Sequence, residues 1–453
     1  MTPGASETLM VSVSGVRGIV GKDLTPEFVA HQAAAFGALV RDGGGSAVVL
    51  ARDARTSGPM FTDAARSGLQ SVGCTVIDCG CIPTPTAQLA VEHHHAGGGI
   101  ILTASHNPIE WNALKFVGAD GLFLDQATAA RLQALAAGTV PRASWDGLGS
   151  QRTDTEAVER HLSLLLALPV VDVPAIRARG FRVALDCVRG AGGTAMPQLF
   201  ERLGCTVTGI NLETDGRFPR PPEPIPEHLG PLGELVRASG ADVGMAVDPD
   251  VDRLALVDET GRAIGEDYTL AFAVEAVLRR QRGPVVVNLS TSLVVDDAAA
   301  AHGATVARAP VGEANVARAM RAAGAVVGGE GNGGVMLPAL HLGRDAPLAA
   351  ALVLDLLATD RRPLSERVTA RPQYAIVKAK APRGADLAAL YTALESRFAD
   401  ATRDRQDGLR LSWPDRWLHV RPSGTEPIVR LIAEAPTAEA AEGLVAACRA
   451  TLA

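Results

Sequence analysis

One pattern constrains the fold of this chain more than any other. A short β-branched run ends in a polar or glycine-rich loop, and an Ala/Leu-rich amphipathic stretch follows. AVVLA at 47–51 precedes Arg52, Asp53, Ala54 and Arg55, and GIIL at 99–102 runs into Thr103, Ala104, Ser105, His106, Asn107 and Pro108. FRVALD at 181–186 leads to a glycine-rich turn, ADVGMAV at 241–247 ends at Asp248, and GPVVVN at 283–288 ends at Leu289, Ser290, Thr291 and Ser292. Strands alternating with helices at this rhythm predict α/β domains with mostly parallel sheets. Such sheets place binding residues in the loops beyond their strand C-terminal ends, where most of these polar clusters fall. The theme repeats without close identity, which predicts related domains in series rather than a solenoid.

At 453 residues the chain exceeds one ordinary core, and its 47% hydrophobic content is enough for several. Polar or proline-broken stretches near 147–155, 258–267 and 369–373 divide it into 1–153, 154–260, 261–371 and 372–453. The last part changes texture. A strand at 374–380, a helix at 385–398 and strands at 418–420 and 428–433 predict a smaller α+β domain with antiparallel strands. Aromatic content of 4% argues against stacking platforms for single strands, and a net charge of −7 gives no field for a polyanion. No nucleic-acid partner is expected. Residues 1–10 lack a signal-peptide layout, and the most apolar late stretch, 346–358, is interrupted by Asp355 and too short to span a bilayer. The expectation is a cytoplasmic chain with no membrane segment. The six cysteines form no CxxC pair and read as buried, reduced thiols, and His93, His94 and His95 read as a surface run.

Three clusters carry the chemistry. Ser105, at a strand end among polar neighbours, suits a nucleophile, a phosphate ligand or a helix cap. No GxSxG elbow surrounds it, which argues against acyl transfer. Lys115 adds a cation ten residues on. Asp248, Asp250 and Asp252 alternate after an apolar strand. Mutual repulsion there raises carboxyl pKa values unless a hard divalent cation joins them. The spacing lacks the glycine and glutamate of an EF-hand, so Mg²⁺ with a phosphoryl oxygen is the better match; a solvated acidic turn is the bland alternative. Arg421, Ser423, Gly424 and Thr425, with Arg430 nearby, put two guanidinium groups, two hydroxyls and a glycine in one loop, a set suited to phosphate. Two weaker clusters remain. Arg17 lies in SGVRG at 14–18, where an ordinary glycine turn is as good a reading. Glu330 and Asn332 lie in a segment at 328–334 too glycine-rich for a regular element, suited to sugar hydroxyls or simply to a flexible loop.

SGVRG (14–18), TASHNP (103–108), DPDVDR (248–253), GEGNGG (329–334) and RPSGTEP (421–427), in that order, resemble the α-D-phosphohexomutase family over nearly the whole chain. RDARTSG at 52–58, DGRFP at 215–219 and PEP at 222–224 add to the likeness. The resemblance implies three related mixed-sheet α/β domains plus a smaller C-terminal α+β domain around a central cleft. It implies that Ser105 carries a phosphoryl group and that Asp248, Asp250 and Asp252 hold Mg²⁺ with a phosphoserine oxygen. Arg17 and Lys115 would lie beside the transferring group, with Arg253 supporting the metal loop or the phosphoryl group. Glu330 and Asn332 would grip sugar hydroxyls. Arg421, Ser423, Gly424, Thr425 and Arg430 would hold the phosphate that is not reacting. This chain departs from the pattern in two places. Many relatives read GExSGH in the sugar loop, where this chain has Asn332 and Gly334, and several place histidine where it has Glu313. Acid–base roles of those histidines do not transfer, which leaves Lys115 or Glu313.

The activity implied is interconversion of hexose 6-phosphate and hexose 1-phosphate through a sugar bisphosphate, which also acts as activator. Glucosamine phosphates are the preferred pair, since SGVRGIVG and GEGNGG look most like phosphoglucosamine mutases. The alternatives are a phosphomannomutase/phosphoglucomutase, a non-catalytic sugar-phosphate-binding protein and an ordinary phosphatase. The expected partner is a small sugar phosphate, and the expected state a monomer or homodimer.

Overall fold

The structure, a computed structural model, describes residues 8–13, 15–382, 386–423 and 428–452. Four sheets follow one another along the chain. The first contains β1 (Met10–Ser12), β2 (Gly15–Ile19), β3 (Ala47–Arg52), β4 (Thr75–Cys81), β5 (Gly98–Leu102), β6 (Trp111–Gly118) and β7 (Gln151–Thr153), in the order β1-β2-β6-β5-β3-β4-β7. The second contains β8 (Arg182–Asp186), β9 (Thr206–Ile210), β10 (Val243–Val247) and β11 (Leu254–Val257), in the order β11-β10-β8-β9. The third contains β12 (Val285–Asn288), β13 (Val306–Ala309), β14 (Val327–Glu330) and β15 (Gly334–Met336), in the order β13-β12-β14-β15. The fourth, antiparallel throughout, contains β16 (Ala375–Pro382), β17 (Thr402–Asp404), β18 (Leu409–Ser412), β19 (Trp417–Pro422) and β20 (Ile428–Ala435), in the order β16-β20-β19-β18-β17. The architecture is three mixed α/β sheets followed by a smaller α+β unit.

The first three sheets share a device. In each, a parallel core gives way to an antiparallel pair, β5 with β6, β10 with β11, and β14 with β15, and the first sheet continues antiparallel through β2 and β1. The loop between the two strands of that pair carries Ser105 in the first sheet, the aspartates in the second and Asn332 in the third. Strands β5, β10 and β12 are buried along their whole length, which explains their uninterrupted apolar sequences. One hydrophobic cluster runs continuously through the second and third units, from Leu162 to Val368, whereas the fourth has a core of its own around Leu409, Leu418 and Leu431.

The apolar stretch at 346–358 is a helix, Ala346–Ala358, capped by Asp345 and buried along nearly its whole length. Its one charge, Asp355, accepts from Arg280 and from the Asp172 N–H. Among the described residues no helix is long and apolar enough to cross a membrane. The six cysteines are free thiols; Cys74, Cys79, Cys187 and Cys448 are buried, while Cys81 and Cys205 are half-buried. In the histidine run, His94 is half-buried and pairs with Asp154 at 2.7 Å, so that run is not wholly a surface feature.

The strands decide between the local readings of the two weaker clusters. The 15–19 segment is strand β2, paired with β1 and β6, not a glycine turn. The glycine-rich 328–334 segment is a tight hairpin joining β14 and β15, not an irregular loop. The reason is close backbone approach. A Cβ at Gly328 would lie 2.1 Å from the Val286 carbonyl oxygen, and Gly333 has φ +85°.

Candidate active site

Ser105 is 4% exposed and sits with φ +49°, a left-handed conformation unusual for a serine. Its surroundings enforce it. The Thr103 hydroxyl accepts from the Ser105 N–H at 2.9 Å and donates to Asp53 at 2.7 Å. Arg55, paired with Asp53 at 3.2 Å, donates to the carbonyls of Ser105, Asn107, Pro108 and Trp111 at 2.6–2.8 Å. The serine hydroxyl donates to Asp248 Oδ2 at 3.0 Å, so the loops of the first two sheets meet at this bond.

Asp248, Asp250 and Asp252 are buried, and their ligand atoms lie within 4.8 Å of one another. Val251 between them has φ +63°, a strained value for a β-branched residue, and this places the aspartates around one turn. The three do not share one electrostatic fate. Burial and the other two carboxylates push the Asp248 carboxyl well up. Burial pushes Asp250 the same way, but Lys115 Nζ at 2.7 Å and the Thr84 hydroxyl at 2.9 Å hold it below the usual range. Mutual repulsion therefore raises only part of the set. Asp250 Oδ1 and Asp252 Oδ1 are buried with no hydrogen-bond partner among the described residues. Buried carboxylate oxygens beside a serine hydroxyl are a donor set for a hard divalent cation, so the residues fit a metal.

A cleft of about 820 Å³ opens in front of Ser105. Its lining draws on all four sheets and their loops: Arg17 and Lys115 from the first, Arg253 from the second, Glu330 and Asn332 from the third, and Arg421 and Arg430 from the fourth. Arg17 donates to the Asn107 side chain at 2.9 Å. Arg253 gives its N–H to Asp248 and pairs with Glu223 at 3.4 Å. Glu330 accepts from Asn288 at 2.9 Å and the Gly312 N–H at 3.0 Å. Arg421 and Arg430 are direct cross-strand partners on β19 and β20, and Arg421 also pairs with Asp407 at 2.9 Å. Ser423 is buried at the end of β19, its N–H bonded to the Ile428 carbonyl. Gly424 and Thr425 lie outside the described residues.

Sequence reasoning gave no role to two residues of this site, His106 and Arg344. His106 lines the cleft, with Nδ1 3.4 Å from the Ser105 hydroxyl, and Arg253 together with burial holds its imidazole well below the usual range. Glu313, at the start of the helix Glu313–Ala323, also lines it, but it is bound by Gln88 at 3.1 Å and Arg344 at 3.1 Å. Arg344 belongs to none of the sequence clusters. A second buried set, His161, His341 and Asp345, places two imidazole Nε2 atoms 2.8 and 2.9 Å from Asp345 Oδ2. The Gly343 N–H donates to His341 Nδ1 at 3.0 Å, so that ring carries its proton on Nε2 and offers no lone pair there. This set braces the start of the helix Ala346–Ala358.

Comparisons with known proteins agree with this geometry. Residues 9–140, 159–261 and 265–374 match the families described as phosphoglucomutase/phosphomannomutase alpha/beta/alpha domains I, II and III, and residues 375–451 match the C-terminal domain of the same set. The chain is 40% identical over 435 residues to a phosphoglucomutase/phosphomannomutase of Thermococcus kodakarensis, covering 94% of each. It is 36% identical over 437 residues to a probable phosphoglucosamine mutase of Methanopyrus kandleri, covering 95% of each. The crystal structure of a phosphoglucomutase/phosphomannomutase family protein from Burkholderia thailandensis superposes with a TM-score of 0.86 at 27% identity, covering 98% of both chains.

Proposed function

The chain belongs to the phosphoglucomutase/phosphomannomutase family, the α-D-phosphohexomutases, and from that premise we propose a mechanism in which Ser105 carries the phosphoryl group. The enzyme is a hexose-phosphate mutase, an intramolecular phosphotransferase. The observation that carries the proposal is the 3.0 Å bond from the Ser105 hydroxyl to Asp248, beside two buried aspartate oxygens without hydrogen-bond partners among the described residues.

In this reading Asp248, Asp250 and Asp252 hold Mg²⁺, which supplies charge neutralisation at the transferring oxygens. Arg17 and Lys115 flank those oxygens. The sugar hydroxyl oxygen bonds to phosphorus as the Ser105 Oγ–P bond breaks; the hydroxyl proton passes to a base in the cleft, and Ser105 Oγ takes up a proton from an acid there. Lys115, an ammonium bonded to Asp250, can give the proton to Ser105 Oγ. Glu313, whose carboxyl burial pushes up, is the candidate base. The product of this step is a sugar bisphosphate. It turns around within the cleft and returns its original phosphate to Ser105. Arg421, Ser423, Gly424, Thr425 and Arg430 hold whichever phosphate is not reacting, so they accept a phosphate at either end of the sugar. Arg253 supports the metal loop, and Glu330 and Asn332 face the sugar hydroxyls. Such chemistry depends on in-line positioning and charge compensation more than on covalent novelty.

We propose glucosamine 6-phosphate and glucosamine 1-phosphate as the preferred pair, on the SGVRGIVG and GEGNGG segments; glucose and mannose phosphates are the competing pair. The test is kcat/KM on glucosamine, N-acetylglucosamine, glucose and mannose phosphates with a trace of bisphosphate activator. Faster turnover of glucose phosphates would end the amino-sugar assignment. Ser105→Ala should lose at least about 10³-fold in kcat, and intact mass should show one phosphoryl group on the wild type and none on the variant. A variant that keeps its rate or its phosphoryl group would remove Ser105 from this role.

A further inference from the structure

Arg344 is 8% exposed and lies on the wall of the cleft. Its guanidinium touches three carboxylates from three different segments. Nη2 donates to Asp252 Oδ2 at 2.5 Å, Nη1 to Glu330 Oε2 at 2.8 Å, and Nε to Glu313 Oε2 at 3.1 Å. The metal loop, the glycine hairpin and the start of the helix Glu313–Ala323 therefore converge on one planar cation. A guanidinium offers donors in a fixed fork and can hold several carboxylates in register; an ammonium is a point charge that cannot.

The chain makes room for this arginine. A Cβ on Gly334 would fall 2.3 Å from Arg344 Cδ and 2.9 Å from its Cγ. The arginine stem thus fills the volume that a side chain at 334 would need. Asp252 is held by Arg344 through Oδ2, and its Oδ1 has no hydrogen-bond partner among the described residues.

We propose that Arg344 is a positioning residue that registers the metal loop against the glycine hairpin, and that position 334 is glycine to admit its stem. The inference rests on the mutase reading above. Losing the cation leaves Asp252, Glu313 and Glu330 with less countercharge, which favours a divalent ion, while the loss of register slows the reaction. Rate and metal affinity should therefore separate.

The experiment uses the full chain, with steady-state kinetics on the best hexose phosphate, Mn²⁺ binding followed by EPR, and thermal unfolding. Arg344→Gln should lower kcat about 100-fold, with Mn²⁺ bound as tightly as by wild type or more tightly. Arg344→Lys should stay within about threefold of the glutamine variant, because it restores charge without the fork. Gly334→Ala should also slow the enzyme; combined with Arg344→Ala, which removes the Cγ and Cδ that the new Cβ would meet, it should be no worse than Arg344→Ala alone. Recovery of wild-type kcat by Arg344→Lys would mean that charge alone suffices and would overturn the proposal. So would additive costs of Gly334→Ala and Arg344→Ala, or loss of Mn²⁺ binding in Arg344→Gln. A wild-type chain without mutase turnover would instead overturn the mutase reading, and the Gly334–Arg344 coupling would still be read from the cycle of unfolding temperatures.

Discussion

Arg55 shows how much of the serine loop depends on one side chain. It is fully buried, and its guanidinium serves four backbone carbonyls and Asp53. A buried charge is tolerated because every donor has an acceptor and the charge has a counterion. Arg55→Leu would strand Asp53 and the carbonyls, and should cost about 3–5 kcal/mol in denaturant unfolding. A cost below about 1 kcal/mol would show that the loop holds itself. The sequence makes Arg55 visible within RDARTSG but not its task, because its partners lie some 50 residues away. Arg344 is harder still. It stands in no cluster, and its carboxylates are 14, 31 and 92 positions distant. Ser105 and the aspartates are legible because the chemistry is packed into a few consecutive residues. The opposite directions in which Asp248 and Asp250 are pushed are not, since Lys115 breaks the symmetry across 135 positions.

At the scale of elements, the strand and helix periods are plain in the sequence, and the reading of three α/β units and one α+β unit follows from them. What periodicity cannot show is where two backbones touch. Gly216, with φ +69°, illustrates this. A Cβ there would lie 2.1 Å from the Ala54 carbonyl oxygen and 2.8 Å from Arg55 Cα, while the neighbouring Phe218 ring sits 5.0 Å from the Arg55 guanidinium carbon. The 215–219 loop of the second unit is thereby pressed against the arginine loop of the first. Gly216→Ala combines a left-handed backbone with a collision against backbone, and should destabilise by more than about 1 kcal/mol. Gly230, where an added Cβ meets nothing within 4 Å, is the control, and Gly230→Ala should stay within about 0.5 kcal/mol of wild type or gain stability. Equal unfolding temperatures for the two variants would show that the loop yields freely. The hairpin at 328–334 misled for the same reason, since glycine richness marks a close approach as readily as a loose loop.

Across the whole molecule, the fourth unit has its own apolar core and meets the third largely through polar contacts. Ser290 bonds His419 Nδ1 at 2.8 Å, and Glu434 accepts from Ser292 and from the Leu293 N–H. Polar seams of this kind suit units that move against one another. His419 Nε2 donates to the Asp407 carbonyl at 2.7 Å. Burial brings its pKa from 6.5 down to about 4. The unfolded chain then binds more protons than the folded one between those values. Its stabilising contribution is fully present above about 6.5 and is lost as pH falls from there through about 4. In thermal scans, wild type should lose more stability than His419→Gln between pH 6.5 and pH 5, before most carboxylates titrate. Parallel pH profiles would remove His419 from the seam's pH response. None of these contacts is legible in the sequence, since Ser290 and His419 lie 129 positions apart. A cleft walled by all four units has a consequence for inheritance: a gene fragment can carry a sheet and its core, but none carries the cavity. Reassembly from separately expressed halves must restore every wall at once, so activity returns by complementation or not at all.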